Sequence, residues 1–529
     1  MATQLNATPH KTLLGHPVGL FYLFATEFWE RFSYYGMRSL LVLYIIDQFF
    51  QGVDTTERKT IAYGIFGAYG ALVYATPVIG GVIADRFLGA RKTIVLGAII
   101  MALGHFLMAV PGNFAFYVAL GLLIVGNGFF KPNISTLLGS LYAEGDQKRE
   151  GGFTIFYMGI NLGAFCSPLL CGWLGKEYGW HYGFGLAGIG MVIGLIIFLI
   201  GSKKNVLGTS GFQPKEYETK KYFGLKTETL IYIISFMFVP VFALLVNNNE
   251  VQVGQFGLMT SILSTLGIIV LIRIGVLMYQ ESRVNAHRLF VIIILTFISM
   301  VFWSFFEQAG TSLTIFADEN VLLPSWCNAA QAQSINPFVI IVFSIPFALM
   351  WPALGKKNLN PNSIIKTFLG LFLLGIGFLV FAYSANFRSD AGKVPFFYLV
   401  AGYFILTIGE LCLSPTNLSK VTELSPVKIV SFMMGVSLLS SSFAHHLGGI
   451  IAKLTVPNIA NTNSPGLLLN LAASITGFKN GISTSTVNGV QSLAGSTVVF
   501  AQIGIVAIAV SIVLLIVSPF IKKLMHGVH

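Results

Sequence analysis

About fourteen apolar blocks run through this 529-residue chain, most of them as long as the ~20 residues a helix needs to cross ~30 Å of hydrocarbon. Inside a bilayer every backbone N–H and C=O must find its partner within the protein, so only helices and closed barrels span it. A barrel would be written as ~10-residue alternating segments, and these blocks do not alternate. The expected fold class is therefore an all-α membrane protein. Composition agrees: 55% of the residues are hydrophobic, only 10% are charged, and the mean hydropathy is +0.77. No apolar h-region precedes Val18, so a removable signal peptide is not expected and the first span doubles as the insertion signal.

The spans read roughly as 18–49, 60–84, 92–111, 114–141, 153–175, 181–201, 229–247, 255–279, 288–317, 335–355, 364–385, 396–422, 428–452 and 497–521. The basic stretch Lys203 to Lys226 separates the first six from a helix pair, after which six more follow. The expected domains are an N-terminal six-helix bundle at 1–202, a linker with two extra transmembrane helices at 203–287, and a C-terminal six-helix bundle at 288–529. The Ser-, Thr-, Asn- and Gly-rich segment 456–495 reads as a long outward loop.

A net charge of +11 raises the question of nucleic acid, but its distribution answers it. With the N-terminus inside, 21 of the 32 Lys and Arg fall on the cytoplasmic side, 7 on the other, and 4 within helices (Arg31, Arg38, Lys131 and Arg273). That bias places both termini in the cytoplasm of a cell inner membrane, with the lipid bilayer as partner and no nucleic acid. The cysteines Cys166, Cys171, Cys327 and Cys412 are scattered, so neither a disulfide framework nor a metal site is expected.

Between the second and third spans, the run Gly80 to Lys92 (GGVIADRFLGARK) resembles the loop signature of the major facilitator superfamily. Its glycines permit close helix approach, while Asp85, Arg86 and Arg91 are expected to cap helix ends and latch the halves.

An ionisable residue at the bilayer centre costs roughly 2.5–3.5 kcal/mol on insertion scales, which makes each one a functional hypothesis. The first span holds Glu27, Glu30, Arg31 and Arg38, and at 100° per residue Glu27, Arg31, Tyr34 and Arg38 share one stripe. The fourth contributes Lys131, just before Pro132; the ninth pairs Trp303 with Glu307 and the twelfth pairs Glu410 with Ser414, each at i, i+4. The signs segregate: Arg31, Arg38 and Lys131 lie in the first half, Glu307 and Glu410 in the last. A cavity between the halves would then complement a zwitterion. The four carboxylates outnumber the three cations by one, so one carboxylate is expected to hold a proton in some states. Glu27 and Glu30 beside Arg31 are the expected carriers, with Glu307 after them. His445 and His446 point in different directions on their helix, and no metal is expected there.

At Glu27 to Gly36 (EFWERFSYYG) the chain resembles the proton-dependent oligopeptide transporter (POT, or PTR2) family, whose first helix carries ExxER followed by Tyr-Tyr-Gly. The resemblance continues through Gly128 to Ser135 (GFFKPNIS), Phe156 to Gly163 (FYMGINLG) and Gly409 to Pro415 (GELCLSP). It implies a major facilitator superfamily fold, two six-helix bundles plus an inserted two-helix hairpin. It also implies that Arg31, Arg38 and Lys131 meet a peptide carboxylate and exchange partners with Glu27 and Glu30 on protonation. By the same resemblance Glu410, with Ser414 a turn on, receives the peptide amine, Asn161 and Asn336 bond the peptide backbone, and Tyr35, Tyr69, Tyr157 and Trp303 shape the pocket. Where family members carry a pocket Trp in the thirteenth span, this chain has Val436-Ser437-Leu438, which bears on side-chain preference.

The expected function is a proton-coupled symporter importing di- and tripeptides by alternating access. The alternative is a same-fold proton-coupled carrier of another small anionic or zwitterionic solute. No GxxxxGK[ST] loop occurs, so no nucleotide or other cofactor is expected, and no convincing nucleophile–base or metal cluster suggests an enzyme.

Overall fold

A computed structural model describes residues 12–143, 145–146, 148–457, 466–478 and 487–528. Among them are fourteen helices of 19 residues or more: α1 (Val18–Gln48), α2 (Thr55–Ala75), α3 (Ala90–Met108), α4 (Asn113–Gly139), α5 (Lys148–Tyr178), α6 (Trp180–Lys203), α7 (Thr227–Asn247), α8 (Leu258–Gln280), α9 (Arg283–Phe306), α10 (Ile335–Lys356), α11 (Ser363–Tyr383), α12 (Phe396–Leu424), α13 (Val430–Lys453) and α14 (Asn488–Leu524). Among the described residues, twelve candidate membrane spans are long and apolar enough to cross a bilayer. The two helices outside that set are α1, 31 residues long and carrying Glu27, Glu30, Arg31 and Arg38, and α13, 24 residues long and carrying His445 and His446.

The second and ninth spans are broken rather than continuous. Beyond α2 the chain turns at Thr76 and restarts as Pro77–Ile83, with proline at the first position, where its missing N–H costs nothing. A π-turn, Ala84–Leu88, follows and ends at Gly89. That residue has φ +75°, and a Cβ there would lie 2.4 Å from the carbonyl carbon of Phe212, so only glycine fits on both counts. The ninth span, expected to run unbroken over 288–317, instead stops at Phe306, takes one 3-10 turn over Glu307–Gly310 and resumes as Ser312–Asn320. Within the expected loop 456–495, Leu467–Thr476 is a short helix lying on α14 and α11, with Leu469 and Ala472 buried. The same stretch also yields the start of α14, at Asn488. Outside the spans, Asp54 caps α2: the Thr56 N–H donates to its carboxylate at 2.8 Å, and hydrogen bonds from the Thr56 side chain and N–H hold that carboxyl below its ordinary range.

The chain divides into two compact units, one taking the described residues up to Leu40 with Leu72–Asn247, the other Leu41–Ala71 with the described residues from Asn248 onward. In the first unit α3 packs on α4 and α6, α5 on α6, and α7 along α4. Leu96, Ile100, Leu122, Val125, Phe129 and Val239 form a shared core there. In the second, α11 packs on α12 and α14, and α9 lies against α12 and α13. The α8 helix joins α9 and α13, and α10 lies on α12. Lipid tails are as apolar as leucine, so burial alone does not drive such helices together; close approach at small residues does. On α13, a Cβ at Gly449 would sit 2.7 Å from the Tyr63 carbonyl oxygen and 3.0 Å from the Gly67 Cα, and the backbones of α2 and α13 meet there.

Candidate functional site

In the first unit the charged stripe of α1 is a buried knot. The Arg31 Nε donates to Glu30 Oε2 and forms an ion pair with Glu27 Oε1, 3.1 Å away and one helical turn back. All three side chains are at most 4% exposed. Breaking a buried pair of this kind by removing one partner typically costs about 3–5 kcal/mol, because the other charge is left in low dielectric. The knot is not saturated: Glu27 Oε2, Glu30 Oε1 and one terminal nitrogen of Arg31 have no hydrogen-bond partner among the described residues. Around it stand aromatic rings. The Arg31 guanidinium lies 5.3 Å from the centre of the Tyr34 ring and the Arg38 guanidinium 5.9 Å from that of Tyr35.

On α4, the Lys131 ammonium sits 3.8 Å from the centre of the Tyr74 ring and acts electrostatically on Arg31, Tyr35, Glu27 and Glu30. Arg31, Lys131 and the two carboxylates are therefore one neighbourhood, and Arg38 adjoins it through Tyr35. Arg31 is enclosed, while Tyr35, Arg38 and Lys131 are half-buried. Close packing holds α1 in place against α5 and α6: Cβ atoms built at Gly163 and Gly190 would lie 2.4 Å from the Phe28 carbonyl oxygen and 2.8 Å from the Phe32 ring. On α5, Asn161 is buried and donates to the Tyr157 carbonyl at 3.0 Å, within its own helix, while Tyr157 is exposed.

The second unit holds the other carboxylates. Glu410 of α12 is buried; Asn336 Nδ2 donates to its Oε2 at 2.9 Å and lies the same distance from Thr407 Oγ1. Glu307 acts electrostatically on Glu410. The break in the ninth span places Glu307 at the first residue of the 3-10 turn, where its Oε1 meets His445 Nε2 of α13 at 3.3 Å. Gln308 donates to the Gly448 carbonyl at 3.0 Å and fastens the same turn to α13. Trp303, a turn before Glu307, is half-buried and packs edge-on against Phe302 and Phe306. Tyr69 is buried in this unit, on α2. The Ser414 side chain lies outside the described residues.

Thr407 and Tyr74 were not singled out by sequence reasoning, and His445 was considered without its carboxylate partner. His445 reads there only as one of two adjacent histidines on an apolar helix; its partner is brought by another element, and no local spacing announces it. Its neighbour His446 meets Thr260 Oγ1 at 2.9 Å. Among the described residues no group of three or more His, Cys, Asp or Glu side chains could hold a metal ion.

The charged residues of the glycine-rich loop after α2 differ in burial. Arg91 is buried and donates to the Ser210 and Gly208 carbonyls at 2.7 and 2.5 Å, with Phe212 stacked 4.0 Å from its guanidinium. It ties the start of α3 to the segment following α6. Asp85 and Arg86 are exposed in the π-turn.

Three comparisons bear on this arrangement. A family model described as "POT family" (PTR2) matches residues 91–465. A di-/tripeptide transporter of Lactococcus lactis subsp. lactis (strain IL1403) is 34% identical over 545 residues, covering 99% of this chain and all of its own length. The peptide transporter YePEPT of Yersinia enterocolitica subsp. palearctica serotype O:3 (strain YE-P4) is 35% identical over 466 residues, covering 85% of this chain and 90% of its own. Among solved structures, a mutant of a peptide transporter POT in complex with alafosfalin superposes with a TM-score of 0.77 at 34% identity, covering 98% of both chains.

Proposed function

Because this chain belongs to the POT family and is a multi-pass membrane transporter with the major facilitator superfamily fold, we infer that it imports di- and tripeptides together with protons. The observation that carries this reading is chemical asymmetry between the two units. One gathers Arg31 and Lys131 around two carboxylates, with Arg38 beside Tyr35; the other holds Glu307 and Glu410 with a histidine and an asparagine as near partners. A peptide of two or three residues carries a carboxylate at one end and an ammonium at the other, so each unit offers the charge one terminus needs. Arg38 and Lys131, half-buried, face the carboxylate in this account, and Glu410, oriented by Asn336, takes the amine. Tyr35, Tyr157, Asn161, Tyr69 and Trp303 contribute the walls, and alternating access is rocking of a 1–202 bundle against a 288–529 bundle.

The coupling step lies in the Glu27–Arg31–Glu30 knot. When Glu27 or Glu30 takes up a proton, Arg31 loses one of its two anionic partners and becomes available to the peptide carboxylate; when the proton leaves, the pair re-forms and the carboxylate is released. The uncommitted oxygens of both glutamates supply places for that proton. The membrane is the cell inner membrane, with both termini in the cytoplasm, as the distribution of basic residues favours. The direct test is uptake of labelled dialanine into proteoliposomes. Wild type accumulates it under an inward proton gradient and only equilibrates it without one. Glu410→Gln weakens dialanine binding by at least an order of magnitude, as loss of a buried charge-assisted contact of about 1.5–3 kcal/mol requires. Normal binding by that variant would refute the amine assignment, and accumulation independent of the gradient would refute the coupling.

A further inference from the structure

Away from the charged residues, a cavity of about 420 Å3 opens between Pro77–Ile83 with its π-turn, α4 and the first half of α7. Its size falls in the range of about 300–1,000 Å3 typical of small-molecule sites. Ile79, Ile83, Val125, Phe129, Ile231 and Phe238 dominate its walls. Among the lining residues the three aliphatic hydroxyls are each committed to a backbone carbonyl, Thr76 to Ile124 at 3.0 Å, Thr227 to Lys220 at 3.0 Å and Ser235 to Ile231 at 2.7 Å, and the Tyr222 phenol is engaged with the Lys220 side chain. Water in such a space needs two to four polar partners, which these walls do not offer; a hydrocarbon chain needs none.

One side of the cavity is a two-residue hairpin, Lys221–Tyr222 paired with Leu225–Lys226, whose Tyr222 joins the lining. In its register Lys221 stands directly opposite Lys226, and both are exposed. Like charges in that position destabilise a strand pair unless something anionic lies between them. Two of the nearby carboxylates are engaged elsewhere: Glu216 pairs with Lys220 at 3.3 Å, and Glu228 is held by Lys92 and Tyr232, acting on Lys226 only at a distance. At the hairpin tip Phe223 is 97% exposed, flanked by the exposed Tyr222 and Leu225. Aromatic and basic side chains in one short turn at the end of a span are the chemistry of the membrane interface. Phe87, from the π-turn, lines the same space.

We propose that this is a binding site for an anionic phospholipid, with one acyl chain in the cavity between α4 and α7 and the phosphate on the Lys221–Lys226 pair. The chain gives the apolar walls their occupant and the phosphate neutralises the opposed lysines. The inserted helix α7, which carries the hairpin on its first turn, is thereby joined to α4 through lipid as well as by direct packing.

Native mass spectrometry of the full chain in detergent, titrated with phosphatidylglycerol and with phosphatidylcholine of the same acyl chains, reads the site independently of peptide transport. Wild type retains phosphatidylglycerol preferentially. The double substitution Lys221→Gln with Lys226→Gln, both at exposed positions, lowers its affinity by about thirtyfold, to the level of phosphatidylcholine. Ile234→Trp, at a lining residue that is 41% exposed and so tolerates a larger ring, weakens both lipids. Soluble glycerol phosphate, a head group without chains, displaces neither. Equal retention of the two lipids by wild type, an undiminished preference in the lysine variant, unchanged binding in Ile234→Trp, or displacement by glycerol phosphate would each overturn the proposal.

Discussion

At the scale of single residues, the chain places charge where the bilayer penalises it and, in the α1 knot, commits those charges only in part. Arg31 is shared between two glutamates, each glutamate keeps an oxygen without a partner among the described residues, and Lys131 rests on the face of a tyrosine. In the second unit His445 plays toward Glu307 the part that Arg31 plays toward Glu27, but with a group whose charge is itself conditional. Replacing His445 by leucine removes that contact, and it is expected to lower the stability of the purified protein by about 1–3 kcal/mol, as the loss of a partner to a buried carboxylate does. Thermal unfolding in detergent measures the loss. The Glu307→Gln, His445→Leu double variant should recover part of it, since the carboxylate that needed the partner is gone. Failure to recover any would mean that the two side chains act independently.

At the scale of elements, packing in lipid depends on how closely backbones approach, and α2 against α13 is the sharpest case. Gly449→Ala puts a methyl group 2.7 Å from the Tyr63 carbonyl oxygen, too close for either helix to stay where it is. It is expected to cost about 1–3 kcal/mol through overpacking. Gly435→Ala, on the same helix but with open space at its Cβ, should be neutral or slightly stabilising. Equal melting temperatures for the two variants would contradict this account of the contact. The spans themselves were readable from residue types because apolar length is a one-dimensional signal, and α4, α7 and α10 begin within a residue or two of where hydropathy places them. What length does not encode is a local break. The turn at Glu307–Gly310 interrupts a run as apolar as its neighbours, and Leu467–Thr476 is a helix whose ten residues are too few to span and whose Ser- and Asn-rich surroundings read as loop. The charged stripe of α1 was legible because helical periodicity alone brings Glu27 and Arg31 together. The Glu307–His445 pair was not, because its members lie on different helices, 138 positions apart by their numbering.

At the scale of the whole molecule, the account joins these pieces into a cycle powered by the proton gradient. A proton crossing 100 mV supplies about 2.3 kcal/mol. Its use requires that proton binding and peptide binding compete for, or free, the same groups, and the knot on α1 is where that exchange is assigned. Glu30→Gln leaves a neutral, permanently amide-capped side chain beside Arg31, a mimic of the protonated state that cannot release its proton. Such a protein should still bind peptide and exchange it across the membrane, while losing the ability to concentrate it. The decisive measurement is therefore made on one preparation of Glu30→Gln proteoliposomes, comparing dialanine counterflow with dialanine accumulation under an inward proton gradient. The account predicts that counterflow persists near the wild-type rate while gradient-driven accumulation falls to the equilibration level; accumulation at the wild-type level would contradict it.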